Sequence, residues 1–280
     1  MSIGLPRSVP VLLPARVPGA LGQPGGTSAT VDAALFDLAL RLGDSALILS
    51  QRLGAWCGHG PALEEDIALT NTALDLLGQA RLWLTLAGEV EGAGRDEDAL
   101  AYWRDDREFR NLLITEQPNG DYAQTLARQF LFDAWHRLVL EQLSASSDPR
   151  VAAIAAKAHK EVLYHLRRSA DWVVRLGDGT DESHARMQAA LDRLWPFAGE
   201  LFLTNALDAE AAALGIGCDF SALRADWDAQ VNAVLADATL QRPAGTWSQQ
   251  GSQRGVHTEY LSRLLAEMQV VARAHPGARW

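Results

Sequence analysis

The sequence predicts an all-α fold, a four-helix bundle with further helices around it. Two observations carry that expectation. From Ala33 onward, apolar residues recur at three- and four-residue steps almost without interruption, the spacing that keeps them on one helix face. No stretch alternates apolar and polar residues for long enough to support a sheet. Four of the helical segments are long and are joined two and two, as antiparallel bundle neighbours are.

Residues 1–32 precede this pattern. Pro6, Pro10, Pro14, Pro18 and Pro24 stand among several glycines, Arg7 and Arg16 are the charges, and no continuous apolar stretch occurs. The expectation is a flexible extension that is neither a signal peptide nor a membrane span, followed by a single helical domain over 33–280. The first helix is expected over 33–54, with Leu35, Leu38, Leu42, Ala46, Leu49 and Leu53 on its apolar face. Gly54 and the run from Cys57 to Pro61 end it, because glycine accepts a left-handed cap and proline cannot continue a helix.

A second helix follows over 63–87, opened by Glu64, Glu65 and Asp66 at the positive end of its dipole. A short helix is expected over 96–104, and a third long segment over 107–143, interrupted by the turn signal Pro118-Asn119-Gly120. Ser147-Asp148-Pro149 starts a fourth, which runs to Leu176 and stops at Gly177 and Gly179. Residues 180–239 read as shorter helices on the outside of the bundle, broken by Pro196 and by Gly215-Ile216-Gly217. A Gln-, Gly- and Ser-rich loop over 241–255 leads to a last helix over 256–272.

Composition narrows the function. A net charge of -10 over 280 residues and a pI near 5.1 argue against a nucleic acid or an anionic membrane as partner, since both need a concentrated basic face. Cys57 and Cys218 make no disulfide framework and no C-x-x-C pair, so both are expected as buried thiols in a reducing, cytoplasmic setting. The nine tryptophans are explained mostly by core packing. Those near helix ends, including Trp280, also suit a standing subunit of a larger assembly.

The chemistry turns on the bundle interior. In a carboxylate-bridged di-iron bundle, two helices carry Glu-x-x-His and two carry a single Glu, all pointing inward. Here the corresponding inward candidates are Asp44, then Asp75, then Gln129, Asp133 or His136, then Glu161. Asp75-x-x-Gly78 and Glu161-x-x-Tyr164 place a glycine and a tyrosine where the two histidines would stand. The expectation is therefore a vestigial site at Asp44, Asp75, Gly78, Asp133, His136, Glu161, Tyr164 and His165, with no catalytic residue and no metal ligand in this chain.

The alternative is a di-iron carboxylate centre with an unusual ligand set, since Asp133-x-x-His136 and Glu161-x-x-x-His165 each put a carboxylate and an imidazole on one helix face. Lys160 beside Glu161 opposes it. In the plainer reading the acidic groups pair with Arg, Lys or His in a closed polar network, because an unpartnered buried charge is expensive. His59 reads as a loop residue. The stretch from Gly251 to Glu259 lacks both the Lys-Ser/Thr ending and the preceding strand of a phosphate loop, so its glycines are expected to permit close packing and Thr258 or its neighbours to cap a helix.

Longer motifs add a resemblance. The run from Leu40 to Asp44, Leu49 to Gly54, Trp56-Cys57-Gly58-His59, and Leu74 to Arg81 resemble the PaaC family, one of the component families of the bacterial ring-1,2-phenylacetyl-CoA epoxidases. So do Asn111-Leu-Leu, Glu116 to Gly120, Asp133-Ala-Trp-His136, Lys160-Glu161, Tyr164 to Arg167, His257-Thr-Glu259 and Leu265 to Gln269. The resemblance implies a ferritin-like fold and a non-catalytic structural subunit of a multicomponent monooxygenase of aerobic phenylacetate catabolism. It implies as partners a catalytic subunit that holds the di-iron cofactor, a small bridging subunit and a reductase; apart from the resemblance, a free-standing homodimeric binding module is a third alternative. The proline-rich first thirty residues depart from the family pattern.

Overall fold

In a computed structural model the described residues are 26–245 and 247–278, with the backbone alone for 26–29. The expected extension over 1–25, and Trp280, lie outside them. Nine α-helices occur among the described residues: α1 Gly26–Gly54, α2 Leu63–Glu91, α3 Glu97–Tyr102, α4 Tyr122–Leu143, α5 Pro149–Gly177, α6 Asp181–Ala198, α7 Ala206–Ala213, α8 Arg224–Asp237 and α9 Glu259–Ala274. No strand accompanies them there.

The four long helices form two hairpins, α1 with α2 and α4 with α5. Residues 38–50 of α1 and 123–136 of α4 are buried on every face, as expected of helices at the centre of a domain. The outer helices α2 and α5 each keep a solvent face. The remaining helices close the centre: α6 and α8 lie on α4 and α5, whereas α7 and α9 lie on α1. Trp227 of α8 is fully buried and donates its indole N–H to the Leu131 carbonyl of α4 at 3.1 Å. Trp56, just beyond α1, donates to Thr125 at 2.9 Å.

Local chemistry sets most ends. Asp121 accepts the Gln124 N–H at 2.9 Å and Asp148 the Arg150 N–H at 2.8 Å, side-chain caps that satisfy otherwise orphaned donors. Gly92 takes the left-handed cap of α2 at φ 65°.

Four expectations need correction. α1 begins at Gly26, so 26–32 are helical: once the apolar face from Ala34 is packed, extending the helix by further residues is easy. The segment over 107–121 is mostly non-helical, with one short 3-10 turn at Asp106–Glu108. Pro196 does not break its helix but sits in the last turn of α6, where its carbonyl accepts the Gln249 N–H at 2.8 Å. Cys57 is exposed, on the turn after α1; Cys218 is buried, and burial pushes its thiol up to about 12.

Candidate functional site

The vestigial positions divide into two groups. Asp44, buried in the middle of α1, turns to the segment after α3. Its carboxylate forms a two-pronged ion pair with the buried guanidinium of Arg104, one arm at 3.0 Å, and accepts the Arg110 N–H at 2.8 Å. It therefore serves irregular backbone and a buried cation, and not the face shared with Asp75. Glu116 and Glu200 have the same occupation. Glu116 accepts from Asn111, from the Thr258 N–H and from His257, while Glu200 accepts from the backbone N–H groups of Leu113, Gly251 and Ser252. Buried non-helical backbone must find partners. These three carboxylates supply them for the N–H groups of Arg110, Leu113, Gly251, Ser252 and Thr258, and the Ser45 hydroxyl does so for Leu112.

The second group lies between α2, α4 and α5. Asp75 of α2 meets His165 Nε2 of α5 at 2.9 Å. One turn along, Gln79 donates to Glu161 at 2.9 Å. Deeper in, Asp133 of α4 accepts from Gln129 at 2.6 Å and from the Ser169 hydroxyl of α5 at 2.9 Å. His136 is packed on Phe132 and Trp135, and His165 interacts electrostatically with both Asp133 and His136. The structure thus brings Asp75, Asp133, His136, Glu161 and His165 into one layer.

Gly78 and Tyr164 do not belong to it. Gly78 is half-buried in the wall of a surface groove with Leu74, Leu77 and Arg81, and Tyr164 is 57% exposed. A shift of one residue turns a helical side chain by about 100°, so the inward positions after Asp75 and Glu161 are Gln79 and His165, four residues on. The reading that set Gly78 and Tyr164 against absent histidines is one residue out of register. Gln79 and Ser169 were missed, although Asp75-x-x-x-Gln79 repeats the spacing of Glu161-x-x-x-His165 and could have revealed the first.

Burial governs the protonation of this layer. It pushes the Asp133 carboxyl up to about 7, against the opposing pull of His165, Ser169 and Gln129. It depresses the His136 imidazole to about 3. Near neutral pH, His136 is therefore uncharged and Asp133 close to half-protonated. Several atoms in the layer have no hydrogen-bond partner: Gln79 Oε1, Gln129 Oε1, and Nδ1 of both His136 and His165.

A di-iron centre is the group this fold class suggests, and the donor set does not fit it. Such a centre needs four carboxylates and two imidazoles converging between four helices. Here α1 contributes none, Asp75 is 41% exposed at the edge of the layer, and the position after it is an amide. Among the described residues, no three His, Cys, Asp or Glu side chains are placed to hold a metal ion together. Nor is any helix among them long and apolar enough to cross a membrane. His59 lies exposed with its Nδ1 at 3.1 Å from the Cys57 carbonyl, and Thr258 stands at the start of α9 with its hydroxyl unbonded.

Comparison with known proteins agrees with the motifs. A family model described as phenylacetic acid catabolic protein matches residues 25–280. The C component of the 1,2-phenylacetyl-CoA epoxidase of Escherichia coli (strain K12) is 52% identical over 241 residues, which is 86% of this chain and 97% of that relative. The match runs through all four bundle helices and the helices that cover them, and the chain belongs to the phenylacetic acid catabolic protein family.

Proposed function

We propose that this chain is a non-catalytic structural subunit of a phenylacetyl-CoA 1,2-epoxidase, acting in phenylacetate catabolism by supporting a separate, di-iron catalytic subunit. One observation carries the reading. Where a metal-bearing bundle needs converging ligands, this interior has the pairs Asp75–His165 and Gln79–Glu161 and the Gln129–Asp133–Ser169 bonds. Each carboxylate there already has a protein partner. The 52% identity to a protein named as a component of that epoxidase supports the place in such a complex.

A second reading, a di-iron monooxygenase component with its own unusual ligands, is favoured by one feature. His136 and His165 each keep a buried, unbonded Nδ1. Turnover separates the readings. The chain alone, the catalytic subunit alone, and the two co-expressed are each supplied with the reductase, the remaining subunits and phenylacetyl-CoA. The structural reading predicts no epoxidation by the chain alone and greater activity or stability of the catalytic subunit in its company. Epoxidation by preparations lacking the catalytic subunit would contradict it.

A further inference from the structure

The loop that follows α8 is anchored at both ends. Gln241 donates its N–H to the Gln188 side chain of α6 at 2.8 Å and accepts from it at 2.9 Å. Gln249 donates to the Pro196 carbonyl at 2.8 Å, and Gly199 lets Ser248 approach where a Cβ would collide with it. Between these anchors the loop walls a cleft of about 570 Å³ over α6 and α8, within the size range of small-molecule sites. Arg224, Arg242, Trp195, Trp227 and Trp247 line it, and among the described residues no acidic side chain does. Four other clefts each include an aspartate or glutamate, as a net charge of -10 would lead one to expect.

The two cations are held in place. Arg224 lies over Phe202 and Trp227, 4.9 and 5.9 Å from the ring centres, and Arg242 lies over Trp195 at 5.0 Å. Asp228 accepts Nε of Arg224 at 3.0 Å and Nη2 of Arg242 at 2.7 Å, and Asn232 accepts Nη1 of Arg242 at 2.9 Å. Because both hold the same carboxylate, the guanidiniums are neighbours. Asp228 cancels one of their two charges. Asp226 is turned about 200° from Arg224 around α8, and Asp192 lines the adjoining cleft. One positive charge is therefore left over, and neither Nη group of Arg224 has a hydrogen-bond partner among the described residues. Fixed guanidinium donors of this kind suit a phosphate.

The tryptophans narrow the ligand further. Trp195 and Trp227 are buried against each other, their ring centres 5.7 Å apart, whereas Trp247 on the loop is 67% exposed and offers its ring as a stacking face. A ligand that engages both features carries a flat ring and an anion. We infer that this cleft binds a phosphorylated aromatic compound of the nucleotide class, its phosphate on Arg224 and Arg242 and its ring on Trp247. Holding the arginines on aromatic faces and on Asp228 before the ligand arrives lowers the ordering cost of binding. Two sources share this chemistry: a free nucleotide, and coenzyme A, which the proposed function would bring to the complex.

The test is isothermal titration calorimetry of the full chain with coenzyme A, ATP, inorganic phosphate and phenylacetate. Wild type is compared with Arg224→Gln, with Trp247→Ala, and with Arg263→Gln on α9 as a control. All three side chains are exposed, and circular dichroism verifies that each variant is folded. The expected result is saturable binding of coenzyme A or ATP with Kd below about 1 mM. Either cleft variant should weaken it about tenfold or more, with the control unchanged. Tighter binding of coenzyme A than of ATP assigns coenzyme A as the source, and the reverse assigns a free nucleotide. Inorganic phosphate bound as tightly as either overturns the part given to the ring, and phenylacetate bound as tightly overturns the choice of phosphate. Absence of binding by both nucleotides, or binding that either cleft variant leaves unchanged, overturns the site. The proposed function stands in each of these cases, since it does not depend on this cleft.

Discussion

Asp133 and His136, one turn apart on α4, are shifted in opposite directions by the same cause, burial. Asp133 is raised from 3.8 to about 7, so between those values the folded chain holds a proton that the unfolded chain has released. Stability contributed there falls as pH rises. His136 is lowered from 6.5 to about 3, so in that window the unfolded chain binds a proton that the folded chain refuses, and stability rises with pH. Between about pH 4 and 6.5 the two slopes oppose each other and largely cancel. Asp133→Asn should expose the rising slope and His136→Gln the falling one, read by urea unfolding at several pH values across this window. Equal pH slopes in the two variants would contradict the assignment. The residues of this layer were largely legible in the sequence, because carboxylate and imidazole at helical spacing are visible in one dimension. The direction of each side chain was not, since Gly78 and Tyr164 differ from Gln79 and His165 by one step of helical rotation.

Among the elements, α9 depends on His257. Burial acts to lower this imidazole, but the hydrogen bond and charge of Glu116 and the Phe109 carbonyl outweigh it, and the net shift is upward. Both ring nitrogens face acceptors, an arrangement that suits the protonated ring. A histidine raised in this way contributes stability that is complete below its unfolded value of 6.5 and is lost as pH rises through the higher folded value. His257→Gln should therefore cost most at acidic to neutral pH, about 3 kcal/mol, since Glu116 is left buried without its cation. The deficit relative to wild type should shrink at higher pH, as followed by thermal unfolding. A deficit independent of pH would contradict a charged His257.

Helices whose apolar period and caps are local, such as α2 and α5, could be read directly from the chain. The 107–121 segment could not. Its apolar spacing resembles a helix, but its backbone and side chains are bonded instead by Asp44, Glu116 and Glu200, two of which lie far away in sequence. Gly255 shows the same limit on a smaller scale. It takes φ 66°, and a Cβ there would collide with the Arg107 carbonyl, so the close approach expected of that loop holds, although its partner could not have been named from sequence.

At the scale of the molecule, two central helices, buried on all sides over residues 38–50 and 123–136, are enclosed by the rest. The all-α class and the family were both legible from motifs that span most of the chain. The exposure of Leu74 and Tyr164 was not, because it is a property of packing and not of the residue. The central claim is that this bundle keeps the architecture of a metal protein with its ligand positions used for polar bonds. The most direct measurement is the iron content of the full chain, expressed in iron-replete medium without the catalytic subunit and purified without chelators. The account predicts iron far below one atom per chain, with no iron-dependent rise in melting temperature. One or two atoms of tightly bound iron per chain, released by Asp133→Asn or His136→Gln, would contradict it.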